Sequence, residues 1–152
     1  MDQESIKNRL QEKYPSYQID EGGQWIVLNV PVSDWKQVAA ELRNEAEFEL
    51  DFLFCLTAVD WKTHFSVVFH LRSILHNHEL VVKVKIDDRQ NPVLETVSDI
   101  WRTAEFHERE AYDLFGIRFN YHPDLRRLFL TEDWKGWPLR KDYEDPVNMI
   151  KL

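Results

Sequence analysis

Residues 50–87 hold three β-patterned apolar runs in succession, and an all-helical fold cannot absorb them. Leu50–Val59 is apolar at nearly every position, as expected of a strand covered on both faces. Phe65–Ser73 puts Phe65, Val67, Phe69 and Leu71 on one face, with Ser66, Val68, His70 and Arg72 on the other. Leu80–Asp87 sets Leu80, Val82, Val84 and Ile86 against Val81, Lys83, Lys85 and Asp87. The short link His76-Asn77-His78 predicts an antiparallel hairpin between the last two runs.

The flanking segments supply helices and two further strands. Residues 4–13 read as a helix with Ile6 and Leu10 on one face. Tyr17–Asp20 and Trp25–Val30 read as strands joined through Glu21-Gly22-Gly23-Gln24. Ser33 is expected to cap a second helix with an apolar stripe of Trp35, Val38, Ala39, Leu42 and Ala46. Ser98 is expected to cap a third, with Asp99 in its first turn, running to Phe115 and ending at Gly116. The fold class is therefore α+β: a mostly antiparallel mixed sheet of about five strands with three helices on one side.

The α+β domain is expected to cover residues 1–116, followed by an extended irregular C-terminal arm at 117–152, one domain overall. The arm has prolines at 123, 138 and 146 and no sustained period. Yet it carries Phe119, Tyr121, Leu125, Leu128, Phe129, Leu130, Trp134, Trp137, Leu139 and Tyr143. Such a segment cannot simply lie solvated. It must wrap its own domain or bury those groups against another protein.

Charge and cysteine content narrow the function. Asp and Glu number 27 against 19 Lys and Arg, a formal net charge of −8 over 152 residues. A duplex-binding domain carries the opposite balance, so nucleic acid is not expected as the main partner. The single cysteine, Cys55, excludes an internal disulfide and a four-thiolate iron–sulfur cluster held by this chain. The sequence MDQESIKNRL resembles neither a signal nor a transit peptide. The longest nearly apolar stretch, Leu50 to Val59, falls short of the ~20 residues that span a bilayer. Membrane association is therefore expected only through partners.

No residue is assigned a catalytic, cofactor-binding or metal-ligating role. His76-x-His78 lacks further ligands at zinc spacing. His107, Glu108 and Glu110 are neighbours in sequence, but adjacent helical residues diverge by roughly 100°. His122-Pro123-Asp124 reads as a turn in which Asp124 bonds to backbone amides. Cys55 lies in an apolar strand, where a thiol is inert packing. Gly22-Gly23 is neither a dinucleotide-binding turn nor a P-loop. Lys135 to Lys141, with Trp134 and Trp137, superficially suggests single-stranded nucleic acid, but Glu132, Asp133 and Asp142 interrupt its charge.

Residues 108–128 read EREAYDLFGIRFNYHPDLRRL, followed by TEDWKGWPLRKDY at 131–143; upstream stands FLFCLTAVDW at 52–61. These segments closely resemble the C-subunit family of NADH:quinone oxidoreductases (respiratory complex I), with the order of elements agreeing over most of the chain. Tyr121 departs from the family's usual glycine, Phe106 from a common tryptophan and Phe129 from an aliphatic residue. The resemblance implies a peripheral-arm subunit without a cofactor of its own, beside the quinone-site and iron–sulfur subunits. FMN and iron–sulfur clusters would sit in those partners, at the cytoplasmic face of a bacterial inner membrane. It also marks Glu108, Arg109, Glu110, Tyr112, Asp113, His122, Pro123, Asp124, Arg126, Arg127, Trp134, Trp137, Arg140, Lys141 and Asp142 as family motif and subunit interface. Two alternatives stay open: the equivalent subunit of a membrane-bound hydrogenase or a relative with another electron donor, and a freestanding acid/base enzyme using His107, Glu108 and Glu110.

One structural expectation comes from the residues themselves. Trp101, Ala104, Glu108, Tyr112 and Phe115 share a face of the third helix, so Glu108 interrupts an apolar stripe. A buried carboxylate is costly unless paired. The arm is therefore expected to fold back so that Arg126, Arg127 or Arg140 meets Glu108. The arm's remaining arginines and tryptophans are expected at intersubunit contacts.

Overall fold

A computed structural model describes residues 3–21 and 23–144. Chain order is α1 (Gln3–Lys13), β1 (Ile19–Asp20), β2 (Val27–Val30), α2 (Trp35–Asn44), β3 (Phe52–Asp60), β4 (Phe65–Ser73), β5 (His78–Ile86), β6 (Val93–Glu95), α3 (Ala104–Phe115) and β7 (Arg118–Asn120). A 3-10 turn at Val32–Asp34 leads into α2. The main sheet has the order β1-β2-β5-β4-β3. All its pairings are antiparallel except β2 with β5, which run parallel. The architecture is α+β, as the sequence predicts.

Period-two patterning decides which sheet face is covered. Phe65, Val67, Phe69 and Leu71 of β4 join Leu80, Val82, Val84 and Ile86 of β5 in one buried cluster. The buried stripe of α2, made of Trp35, Val38, Ala39 and Leu42, closes over them. The Trp35 ring sits 4.5 Å from that of Phe69 and 6.3 Å from that of Trp101. Burying each such side chain contributes on the order of 2 kcal/mol.

Three expectations need correction. β3 is the edge of the sheet, carries a bulge between Leu53 and Cys55, and exposes Phe52 and Thr57. The strand buried on both faces is β4, where Ser66 and Val68 are buried as well. Ser33 does not cap α2: Asp34 occupies the N-cap position, without a side-chain capping bond, and accepts the Tyr17 hydroxyl at 2.6 Å. Ser98 does not cap α3 either. Turns occupy the residues before Ala104, and the Thr103 hydroxyl donates to the Leu53 carbonyl at 2.6 Å. At the other end Gly116 takes the expected left-handed conformation, φ +76°, and its amide donates to the Tyr112 carbonyl.

A second, two-stranded sheet was not foreseen. β6 pairs in parallel with β7, so the segment after Gly116 begins by adding a strand to the domain. Three-residue strands show too little alternation to register as a period.

Candidate functional site: an arm clasped to the third helix

Asp113 is where the arm is fastened. It is fully buried on α3 and accepts the consecutive backbone amides of Leu128, Phe129 and Leu130 on one oxygen, at 3.2, 2.7 and 3.1 Å. Its other oxygen takes the Arg127 guanidinium at 3.1 Å. Burial alone would push this carboxyl up. The amides of Phe129 and Leu130 together with Arg127 outweigh burial and hold it below the ordinary carboxylate range.

Arg127 spends its donors as fully. It bonds the Asp113 carbonyl at 2.9 Å and the carbonyls of Trp134 and Gly136 at 3.1 and 3.0 Å. Its guanidinium carbon stands 4.4 Å from the centre of the Trp137 ring. One buried ion pair thus fixes three stretches of backbone, the end of α3, 128–130 and 134–136.

The rest of the arm seals the end of α3. The last carbonyls of a helix lack intrahelical donors. The Leu139 amide donates to the Leu114 carbonyl at 3.0 Å, and Arg140 donates to the Phe115 carbonyl at 2.6 Å. A cation at this end also suits the helix dipole. Trp137 lies over Gly116, where a Cβ would come within 2.6 Å of its indole, and 5.3 Å from the Tyr112 ring. One turn earlier on the same face of α3, Arg109 donates to the carbonyls of Arg126 and Arg127 at 3.2 and 3.0 Å.

Beyond Arg140, the Lys141 amide donates to buried Asp60 at 2.8 Å, and Asp60 also pairs with Arg89. Burial opposes ionisation of Asp60, but Arg89 and the amides of Lys141 and Lys62 prevail and bring it down to about 2. Asp142 stands 3.7 Å from Arg89. Asp60 and Arg89 escaped sequence reasoning. Asp60 ends an apolar strand, the one signal available, while Arg89 sits in a polar loop with nothing to distinguish it.

Glu108 does not meet an arginine. Arg127 goes to Asp113 and main-chain carbonyls, Arg140 to the Phe115 carbonyl and Arg126 to Asp124. Glu108 is fully buried against Thr96, whose hydroxyl lies 2.5 and 2.9 Å from its two oxygens, with the Val97 amide at 3.4 Å. Thr96 also contacts the Ser98 hydroxyl at 2.9 Å. With no cation paired to it, burial favours the protonated form of Glu108, whose hydrogen can be donated to the Thr96 hydroxyl. Burial pushes the carboxyl up to about 8, against Thr96, the Val97 amide and Lys36, whose ammonium bonds the Thr96 carbonyl. Glu108 is thus a neutral core group, and the structure leaves it far from any solvated acid/base cluster: His107 and Glu110 are half-buried on other faces.

The remaining motif residues divide between turn geometry and open surface. His122, not Asp124, organises its turn: it bonds the Glu105 carbonyl at 2.9 Å and accepts the Asp124 amide at 3.0 Å. Asp124 pairs with Arg126 at 2.9 Å on the surface. Pro123, Trp134, Lys141 and Asp142 are exposed, and Glu110 lines a small cleft with Leu56, Thr57 and Leu139. Tyr121 holds φ +67° despite its side chain and is 84% exposed. The turn survives the departure from glycine. Within the chain, Arg127 and Arg140 bond to Asp113 and to main-chain carbonyls, and Trp137 covers Gly116. On α3 and the described part of the arm, the large apolar groups facing outward are Phe106, Tyr121, Phe129, Trp134 and Leu139.

Among the described residues no group of three or more His, Cys, Asp or Glu could hold a metal ion, and no helix is long and apolar enough to cross a membrane. His76 and His78 stack at 5.4 Å, their Nε2 atoms directed at the carbonyls of Ala46 and Phe48.

Comparison with known proteins agrees with the motif. Residues 28–147 match the family described as respiratory-chain NADH dehydrogenase, 30 Kd subunit. The C/D subunit of NADH-quinone oxidoreductase from Phocaeicola vulgatus is 49% identical over 126 residues, covering 82% of this chain and 24% of that protein. The C subunit from Chloroherpeton thalassium is 41% identical over 115 residues, covering 74% and 48%. The C subunit from Chlorobium phaeobacteroides is 40% identical over 113 residues, covering 72% and 68%. The chain thus spans a quarter to a half of the first two of these relatives. Among solved structures, a chain of the membrane-bound sulfane sulfur reductase, an archaeal respiratory membrane complex, superposes with a TM-score of 0.79 at 25% identity, over 93% of this chain and 85% of that one. With the α+β core, the clasped arm and a family match over most of its length, the chain belongs to the 30 kDa subunit family of the respiratory-chain NADH dehydrogenase, that of the C subunit of NADH-quinone oxidoreductase.

Proposed function

We propose that this chain is a non-catalytic scaffold subunit of a proton-translocating NADH:quinone oxidoreductase. One observation carries the reading. Two buried charges, Asp113 and Arg127, are spent on holding an irregular arm in a fixed path, and the arm then presents Phe129, Trp134 and Leu139 outward. A group that costs several kcal/mol to bury unpaired is used to organise a surface, which is what a docking element requires. Electron transfer depends on cofactor placement, so a rigid spacer affects turnover without touching an electron.

The partners in this reading are the quinone-site and iron–sulfur subunits of the peripheral arm, with FMN and clusters held there. Relatives named as a C/D subunit join two subunit designations in one chain, which supports the D subunit as an immediate neighbour. Membrane attachment would come through those partners at the cytoplasmic face. The second reading, an equivalent subunit in a complex with another electron donor, is supported by the likeness to the sulfane sulfur reductase chain. Tagging the chain in its host and solubilising membranes gently distinguishes them. Co-elution with flavin, iron–sulfur absorbance and NADH:quinone activity supports the first reading. A co-eluting complex that reduces another acceptor or ignores NADH supports the second.

A further inference from the structure

Over most of its length the outer edge of β3 lacks the devices that keep a free strand edge from pairing. Such an edge offers a row of backbone donors and acceptors to any other strand. Proteins therefore shorten it, bulge it, or set lysine, proline or an inward-pointing charge along it. β1, at the opposite edge of the sheet, is two residues long and ends in Asp20. β3 runs for nine residues as FLFCLTAVD, with neither charge nor proline before Asp60. Its bulge lies near the start, between Leu53 and Cys55, where the Thr103 hydroxyl already takes the Leu53 carbonyl. From Cys55 onward the pairing with β4 is regular. Among the described residues, no backbone hydrogen bond joins residues 55–59 to anything but β4.

The register gives this stretch two unlike sides. Cys55, Thr57 and Val59 stand opposite His70, Val68 and Ser66 on the face away from the core. Leu56 and Ala58 stand opposite Phe69 and Val67 on the core side, where α3 brings Glu110 into a cleft with Leu56, Thr57 and Leu139. Glu110 is half-buried, and no cation among the described residues pairs with it. Its charge reaches the edge: after burial, Glu110 is what pushes the Cys55 thiol up. A carboxylate drawn partly out of water without a cation is unfavourable until one arrives. Leu139, which the arm presents outward, lines the same cleft, so the edge and the arm form one continuous surface.

We propose that the outer edge of β3 takes up an extended segment of a neighbouring subunit as an added strand, with a lysine or arginine of that segment set against Glu110. Main-chain hydrogen bonds along residues 55–59 hold the segment, and its alternate side chains decide which segment is accepted. On the α3 side the basic residue meets Glu110. On the other side apolar or β-branched residues lie beside Cys55, Thr57 and Val59. A second copy of this chain fits poorly. Two β3 edges paired antiparallel share a two-fold axis near Thr57, which sets both Glu110 carboxylates on one side of the joined sheet with no cation between them. A lipid surface offers the edge no row of backbone partners at all.

The added strand rests on the assembly reading above, and one experiment separates their fates. The full chain is tagged in its host, as parent, as Thr57→Lys and as Glu110→Lys, and the complex is recovered from gently solubilised membranes. Backbone amide exchange over residues 54–59 is followed by mass spectrometry in the isolated parent and in the recovered complex. A photo-crosslinking residue at position 57 identifies what lies against the edge. Expected is exchange slowed by about tenfold or more in the complex, at the amides that face outward in the isolated chain. The crosslink should fall on a segment of another subunit that contains lysine or arginine. Each variant should be lost from the complex by about tenfold or more, Thr57→Lys because lysine guards an edge and Glu110→Lys because it sets like charges together. Exchange is read on the parent, so it decides the matter even where a variant fails to fold. Exchange over 54–59 that is equal in the complex and in the isolated chain overturns the added strand and leaves the scaffold reading standing. So does a crosslink within this chain, to a second copy of it or to lipid. A parent chain that recovers no complex overturns the assembly reading and the added strand with it.

Discussion

Replacing Glu108 by glutamine should make the folded chain more stable at neutral pH and flatten its dependence on pH. The carboxyl is buried, raised from 4.5 to about 8, and surrounded by Thr96 and the Val97 amide with no ion pair. In the unfolded chain it ionises near 4.5; in the folded chain it keeps its proton until about 8. Between those values the folded state binds the extra proton, so stability falls as pH rises, by up to about 1.4 kcal/mol per pH unit. From pH 6 to pH 7.5 the loss amounts to about 2 kcal/mol. Glutamine keeps the shape and one donor for Thr96, and it cannot ionise. Urea unfolding followed by tryptophan fluorescence, for both proteins between pH 5.5 and 8.5, reads the difference directly. His70 and His78, both lowered from 6.5 by burial, add stability only as pH rises toward about 6.5 and level off above it. They act equally in both proteins and cancel in the difference. A wild-type-minus-variant difference that stays constant across the series, or that favours wild type more as pH rises, would refute the neutral-core assignment.

Three further substitutions probe the arm and its turns. Asp113→Ala leaves Arg127 buried without its carboxylate and should cost about 3–5 kcal/mol, with protease cleavage appearing within residues 117–144 before the core is cut; an unchanged digestion pattern would mean the arm is held elsewhere. Gly116→Ala combines a φ of +76° with a Cβ 2.6 Å from the Trp137 indole. It should cost at least about 1 kcal/mol, and a double-mutant cycle with Trp137→Ala should recover the steric part but not the backbone part. Tyr121→Gly relieves φ +67° at an 84% exposed site, and the relief of strain less the entropy of glycine predicts a gain of about 0.5 kcal/mol; a loss would show the phenol ring packs on something in the isolated chain.

What the sequence disclosed follows the length over which each signal is repeated. β4 spans nine residues of alternation and begins and ends where its pattern does, Phe65 to Ser73. The stripe Trp35, Val38, Ala39 and Leu42 marks α2 for the same reason. Signals that depend on one residue failed: Ser33 and Ser98 are good caps in isolation, but a 3-10 turn and a run of turns shifted the helix starts beyond them. Strand order is long-range as well. The uninterrupted apolarity of β3 fits a central strand or an edge whose outer face awaits cover, and only pairing shows that it is the edge. β6 and β7 were invisible because three residues give no period.

The error over Glu108 is the most instructive, because its premise was right. Carboxylates on α3 and arginines in the arm do meet, and a buried ion pair does direct the fold-back. The choice of carboxylate was decided by helical phase. Glu108 and Asp113 are five residues apart, which at roughly 100° per residue puts them about 140° apart around the helix. Glu108 therefore looks toward the Thr96–Val97 turn, while Asp113 looks toward the path the chain must take after β7. Asp113 also lies in the last turn of α3, where the returning arm must satisfy the Leu114 and Phe115 carbonyls in any case. Its short side chain brings one oxygen within reach of three successive amides, which holds backbone as firmly as it holds Arg127. A carboxylate one and a half turns earlier on the opposite face could have neutralised an arginine. It could not have closed the end of the helix and fixed the arm in the same step.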